Sequence, residues 1–238
     1  MNDVTADVML QMLAPTMLGL IVLVCFGAWL LLGRQNYLLI FACAPFFAVC
    51  GAFLQIFPVL PVFGVNVVLS NAVVTCAFLA AVEGVLARSG KRIGLVWDVA
   101  IVVGLTALVA YFYFVTPNFH ARVYLQDFTA AAILLGTAAS LRHLARGHVG
   151  DRLLLGSMVV FGVGLVPLAI FSTLHSSSLT RSAFSDPNYW QILQLTNTVL
   201  AAAFIVSFIV AVLIDFIEGL RGERALDALT GVLNRRGF

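Results

Sequence analysis

Apolar residues run in blocks of about twenty along nearly the whole chain, the length that crosses a bilayer as an α-helix. The pattern predicts seven transmembrane helices over 10–32, 37–57, 62–86, 93–116, 123–142, 153–175 and 190–214. Turn-forming residues mark the breaks. They are Gly33-Arg34-Gln35-Asn36, Pro58 to Pro61, Arg88-Ser89-Gly90-Lys91-Arg92, Thr116-Pro117-Asn118 and Arg146-Gly147-His148-Val149-Gly150-Asp151. The longest connection runs from Ser176 to Tyr189. Pro45 and Pro167 fall inside spans two and six, where a proline kinks a helix. No internal repeat and no low-complexity segment is visible.

The placement of Lys and Arg sets the orientation. The first, third and fifth connections and the tail hold eleven of them, and the opposite side holds only Arg122 and Arg181. The expected fold is therefore an all-α, polytopic seven-helix bundle over 1–214, N-terminus outside and C-terminus cytoplasmic. A short signalling helix over 215–226 follows. The N-terminus carries Asp3 and Asp7 and no basic residue before Arg34, so the first run reads as a retained span rather than a cleaved leader.

Composition supports a membrane protein. Of 238 residues, 62% are hydrophobic and 10% charged, against about 25% charged in soluble domains. The net charge of +2 is too small and dispersed for a nucleic-acid partner. Cys25, Cys43, Cys50 and Cys76 all lie in apolar runs without a CxxC pair and read as small buried hydrophobes. His120 and His175 sit near the outer surface, and His143 and His148 in a basic loop, so no metal site is expected.

Polar groups inside a bilayer are costly and call for a reason. Glu83 and Asp98 lie near the cytoplasmic face beside Arg88, Lys91 and Arg92, where local ion pairing or snorkelling would satisfy them. Asp127 lies about one turn below the outer surface, next to Gln126. At matching depth come Gln55, Asn66, Gln191, Gln194 and Asn197. His120, Arg122, Tyr124, His175, Arg181, Tyr189 and Trp190 lie at or above that level. Two readings stand: an outer pocket for a small molecule, or polar side chains that reach headgroups and one another. Gln191, Gln194 and Asn197 share one face of span seven.

Small residues recur every fourth position at Ala72, Cys76, Ala80 and Gly84, and again at Ala132, Gly136 and Ser140. Such stripes let helices approach closely, within one bundle or across a dimer. Val199, Ala202, Val206, Ile209, Leu213, Phe216 and Leu220 keep the alternating spacing of a coiled-coil seam through the membrane exit.

The chain ends Asp227-Ala228-Leu229-Thr230-Gly231-Val232-Leu233-Asn234-Arg235-Arg236-Gly237-Phe238. This stretch resembles the entry of a GGDEF domain, the catalytic module of diguanylate cyclases, whose pattern is D-x-L-T-G-L-x-N-R-R-x-F. Val232 replaces one Leu. The preceding 214 residues resemble the membrane-associated sensor (MASE-type) regions found before such domains. Gly33-Arg34-Gln35-Asn36-Tyr37-Leu38-Leu39 and Gly51-Ala52-Phe53-Leu54-Gln55 carry that likeness.

The resemblance implies a parent enzyme that joins two GTP into cyclic di-GMP with magnesium, two catalytic domains meeting face to face. It implies an entry turn built from Asp227, Leu229, Thr230, Gly231, Asn234, Arg235 and Arg236. Asp227 would pair with Arg235 or Arg236, and Thr230 or Asp227 would cap the next helix. The family's GTP- and metal-binding residues lie further on, so this chain supplies no catalytic residue and no metal ligand.

The expected partners are a second copy of the chain, the lipid bilayer and a small molecule at the outer face. The expected location is a bacterial inner membrane. The rivals are a passive anchor of the same enzyme and a small transporter or receptor.

Overall fold

A computed structural model describes residues 12–57, 59–174 and 187–225, with side-chain surroundings in the last stretch described for 194–220. The described residues form seven α-helices and one 3-10 turn, with no strand among them. The helices are α1 (Leu13–Leu31), α2 (Asn36–Ile56), α3 (Phe63–Arg88), α4 (Leu95–Phe114), α5 (Phe119–Ser140), α6 (Val149–Leu174) and α7 (Pro187–Ala225). The 3-10 turn covers Arg142–Arg146. Pro45 and Pro167 lie inside α2 and α6.

All these helices except α5 are long and apolar enough to cross a membrane. The protein is a multi-pass membrane protein. α5 is the most polar of the bundle, carrying Arg122, Gln126 and Asp127 in its first half.

The connections show why the helices stop where they do. Gly33 and Arg34 take left-handed φ values of 86° and 52°, turning the chain sharply between α1 and α2. α5 starts four residues before the apolar run over 123–142, because the Asn118 side chain accepts a hydrogen bond from the Ala121 N–H at 3.0 Å. Among the described residues Glu83 does not pair with a base. Its Oε1 accepts the N–H groups of Ile93 at 2.7 Å and Gly94 at 3.2 Å, where α4 begins. An acidic group suits the positive end of a helix. Lys91 Nζ donates to the Ser140 carbonyl at 2.9 Å, at the negative end of α5.

Six helices close into a ring in the order α1, α2, α3, α5, α6, α7 and back to α1. α4 lies outside it, packed on α3 and α5, and is the least buried of the apolar helices. Glycines set the closest approaches. A Cβ on Gly84 would fall 2.6 Å from the Phe41 Cβ and 2.9 Å from its backbone N, so α2 and α3 touch there. Ser70 Oγ bridges the same pair, donating to the Gly51 carbonyl at 3.0 Å. Of the two small-residue stripes, the α3 stripe therefore reaches the bundle's interior at Gly84. Ala132, Gly136 and Ser140 lie exposed on the outside of α5.

The 3-4 spaced apolar series on α7 also faces outward. Val199, Val206, Leu213, Phe216 and Leu220 are exposed, and Ala202 and Ile209 are half-buried. The face turned to the bundle is offset from it and runs through Gln194, Asn197, Ala201, Phe204, Phe208, Ala211 and Asp215.

Gly84→Leu is expected to lower stability by about 1–3 kcal/mol, because the side chain meets backbone that cannot move aside. Gly156→Leu, at a position with no neighbour within 4 Å, is expected to stay within about 0.5 kcal/mol of the parent. Thermal melting of both variants in the same detergent checks this; equal melting would exclude the close α2–α3 contact.

Candidate functional site

A cavity of about 550 Å³ fills one half of the ring. All six ring helices line it and α4 does not. The volume lies in the range of ligand pockets. From Gln194 to Ile205 along α7 the lining spans twelve residues, about 16 Å of helix.

The polar wall lies toward one end of the bundle. Gln55 comes from the end of α2 and Asn66 from the start of α3. Arg122, Gln126 and Asp127 come from the first half of α5, and Gln194 and Asn197 from α7. The sequence had placed all of these except Arg122 in the pocket proper, and Arg122 at its rim. His175, Arg181 and the side chains of Tyr189, Trp190 and Gln191 lie outside what is described, as does the entry turn of Asp227, Leu229, Thr230, Gly231, Asn234, Arg235 and Arg236.

These polar groups differ in how far they are already engaged. Asn66 is buried and committed to the fold. Its Oδ1 accepts from the Leu60 N–H at 3.0 Å, and its Nδ2 donates to the Leu60 carbonyl at 2.8 Å. It closes the α2–α3 connection and has little left for a ligand. Gln126 reaches Thr75 Oγ1 at a long 3.4 Å. The Asn197 Oδ1 and Arg122 Nε are buried without a hydrogen-bond partner among the described residues. The Arg122 guanidinium lies 4.7 Å from the Tyr113 ring centre and 5.6 Å from that of Phe119, a cation–π arrangement. Tyr124 stands apart from the cavity, its hydroxyl 2.6 Å from Thr173 Oγ1. Among the described residues no three His, Cys, Asp or Glu side chains group as metal ligands would.

Aromatic rings close the other end of the cavity. Phe78, Phe161 and Phe204 form its floor. Beneath them Phe41 meets Phe204 edge-on at 5.7 Å and stacks on Phe208 at 3.7 Å. Below this column sits a charge cluster that sequence reasoning missed. Arg88, the last residue of α3, donates from Nε and a terminal nitrogen to Asp215 at 2.7 and 2.9 Å. That terminal nitrogen also contacts Asp151 of α6 at 2.7 Å. The Arg88 and Asp151 side chains are only 9% and 11% exposed, and Asp215 is 42% exposed. Gly150 lets this end close, since a Cβ there would fall 2.9 Å from the Ala211 Cα of α7. The three charges sit at the ends of separate apolar runs. That is the only signal the sequence offers for a pairing across 63 and 127 residues.

One face of α7 thus touches everything: the polar wall at Asn197, the floor at Phe204, the stack at Phe208 and the clamp at Asp215. These positions are seven, four and seven residues apart, so they lie in line along the helix.

Arg88→Leu strands the nearly buried Asp151 carboxylate and is expected to cost about 3 kcal/mol. Adding Asp151→Leu is expected to recover most of that loss. Asp215→Asn, at the more exposed partner, is expected to cost about 1 kcal/mol or less. Unfolding in mixed micelles with rising dodecyl sulfate checks the order; an Asp215→Asn loss as large as that of Arg88→Leu would exclude it.

No protein-family model, no curated protein and no solved structure matches this chain.

Proposed function

We propose that this protein is the membrane sensor of a diguanylate cyclase, taking up a ligand in the ring cavity and relaying occupancy through α7. The observation that carries the reading is the continuity of α7. One unbroken helix of 39 residues is about 58 Å long, nearly twice the thickness of a bilayer core. Its first part lines the cavity, and its last part extends beyond the Arg88 clamp toward the residues that resemble a GGDEF entry. A shift or rotation of such a helix at an interface is an established switching move.

In this reading all seven helices cross the membrane. α5 is held in the ring between α3 and α6, and its polar groups face a cavity rather than lipid. The positive-inside bias places the cavity end outside and the clamp end in the cytoplasm of a bacterial inner membrane. The outward apolar series from Val199 to Leu220 offers a second copy a seam along α7. Pairing there would bring two catalytic domains, each with GTP and magnesium, to high effective concentration. The aromatic floor and the clamp separate the cavity from the opposite end, which favours a sensor over a transporter.

Reading the gene beyond Phe238 comes first; a coding region for a GGDEF domain of about 160 residues, within the size of one domain, is expected, and an immediate stop would sink the enzyme reading. In the full-length protein, inserting one residue after Glu218 turns the helix beyond it by about 100° and is expected to change cyclic di-GMP output severalfold. Inserting seven restores the phase and is expected to restore output. Asp127→Leu with Asn197→Leu is expected to alter the response to stimulus; an unchanged response would favour a passive anchor.

A further inference from the structure

The two charges that line the cavity are Arg122 and Asp127, and they are not equivalent. A carboxyl group in an apolar site can shed its charge by taking up a proton, whereas a guanidinium cannot. Arg122 therefore keeps its charge. No carboxylate among the described residues lies within ion-pairing distance of it. Its Nε is buried without an acceptor. The rings of Tyr113 and Phe119 face the cation at 4.7 and 5.6 Å. Arg88 shows what this fold does with an arginine it means to satisfy internally: it supplies two carboxylates within 3 Å. Arg122 has been left with donors to spare, facing a space large enough for a molecule.

The rest of that space is apolar and long. Below the polar wall the lining is apolar, with the small residues Ala44, Ala77, Ala81 and Ala201 beside the rings of Phe161 and Phe204. Helix geometry gives it a depth of about 16 Å. An extended hydrocarbon advances about 1.3 Å per carbon for bonds near 1.5 Å, so about twelve carbons reach the floor.

We propose that the cavity binds an anionic amphiphile, its carboxylate or phosphate head on Arg122 and one extended apolar chain running to the Phe161–Phe204 floor. This rests on reading the cavity as the sensory site. The unpaired guanidinium selects the sign of the head, and the alanine-lined slot selects an unbranched chain. The polar wall supplies further contacts for the head through Gln126 and Asn197.

The test uses the chain in phosphatidylcholine nanodiscs, with empty discs subtracted, and three probes sharing one tail: dodecanoate, dodecanol and dodecylammonium. Dodecanoate is expected to bind saturably, one per chain, at least tenfold more tightly than the other two. Arg122→Gln is expected to weaken it at least tenfold, while Arg122→Lys, which keeps the charge, retains most of the affinity. Ala201→Phe, which fills the slot, is expected to abolish binding with the head site intact.

Phosphatidylglycerol added to the discs tells the sources apart: competition identifies a membrane lipid as the anionic amphiphile, and no competition a free one. Equal affinity for all three heads, or no effect of Arg122→Gln, would overturn the proposal. So would a preference for dodecylammonium that Asp127→Asn removes. Dodecanoate that binds but leaves the full-length cyclase unmoved would sink the sensor reading and leave the ligand class standing. Absence of dodecanoate binding, with output still altered by Asp127→Leu and Asn197→Leu, would do the reverse.

Discussion

Arg88 can satisfy its charge only by gathering α6 and α7 to the end of α3. A guanidinium with little access to water needs acceptors, and the nearest come from Asp151 and Asp215. Meeting that need fixes where α6 begins, where α7 leaves the bundle and how closely they pass at Gly150 and Ala211. With one end drawn tight in this way, the ring has room to open at the other, and the cavity lies there. The two ends treat an arginine differently: carboxylates meet Arg88 at one end, and aromatic rings face Arg122 at the other.

Between the halves lies the aromatic column. Phe204 belongs both to the cavity floor and to the stack over Phe41. Packed interiors respond to a change of occupancy by rearranging between discrete arrangements rather than by yielding smoothly. Phe204 and Asp215 lie on the same helix, eleven residues or about three turns apart. Asp215 is the more exposed of the two acids and takes two of the three Arg88 hydrogen bonds.

The helices were legible because a twenty-residue apolar run has few alternatives in a chain this poor in charge. Depth was legible too, because the distance of a polar residue from the end of its run gives its level, and the polar wall is drawn from residues at one level. Direction around the helix was not. Nothing local distinguishes Asn66, spent on closing a loop through Leu60, from Asn197, whose oxygen faces no partner. The apolar series from Val199 to Leu220 read as a coiled-coil seam and faces outward, while the bundle packs on the interleaved series through Phe204 and Phe208, since an all-apolar helix carries two such stripes at once. The pairing of Arg88 lay beyond any local pattern, its partners being set by which runs become neighbours.

The position of α4 outside the ring has a consequence for symmetry. The starts of α1, α3, α5 and α7 and the ends of α2 and α6 all meet the cavity, so α1–α3 and α5–α7 form two triplets with the same sense of travel. Each triplet carries a proline in its middle helix, Pro45 and Pro167. A unit with an odd number of antiparallel helices, joined directly to a copy of itself, would point the copy the opposite way. One additional helix restores the parity. α4 stands at that place in the chain, so the seven helices divide as three, one and three, with one helix whose contribution is to turn the chain around.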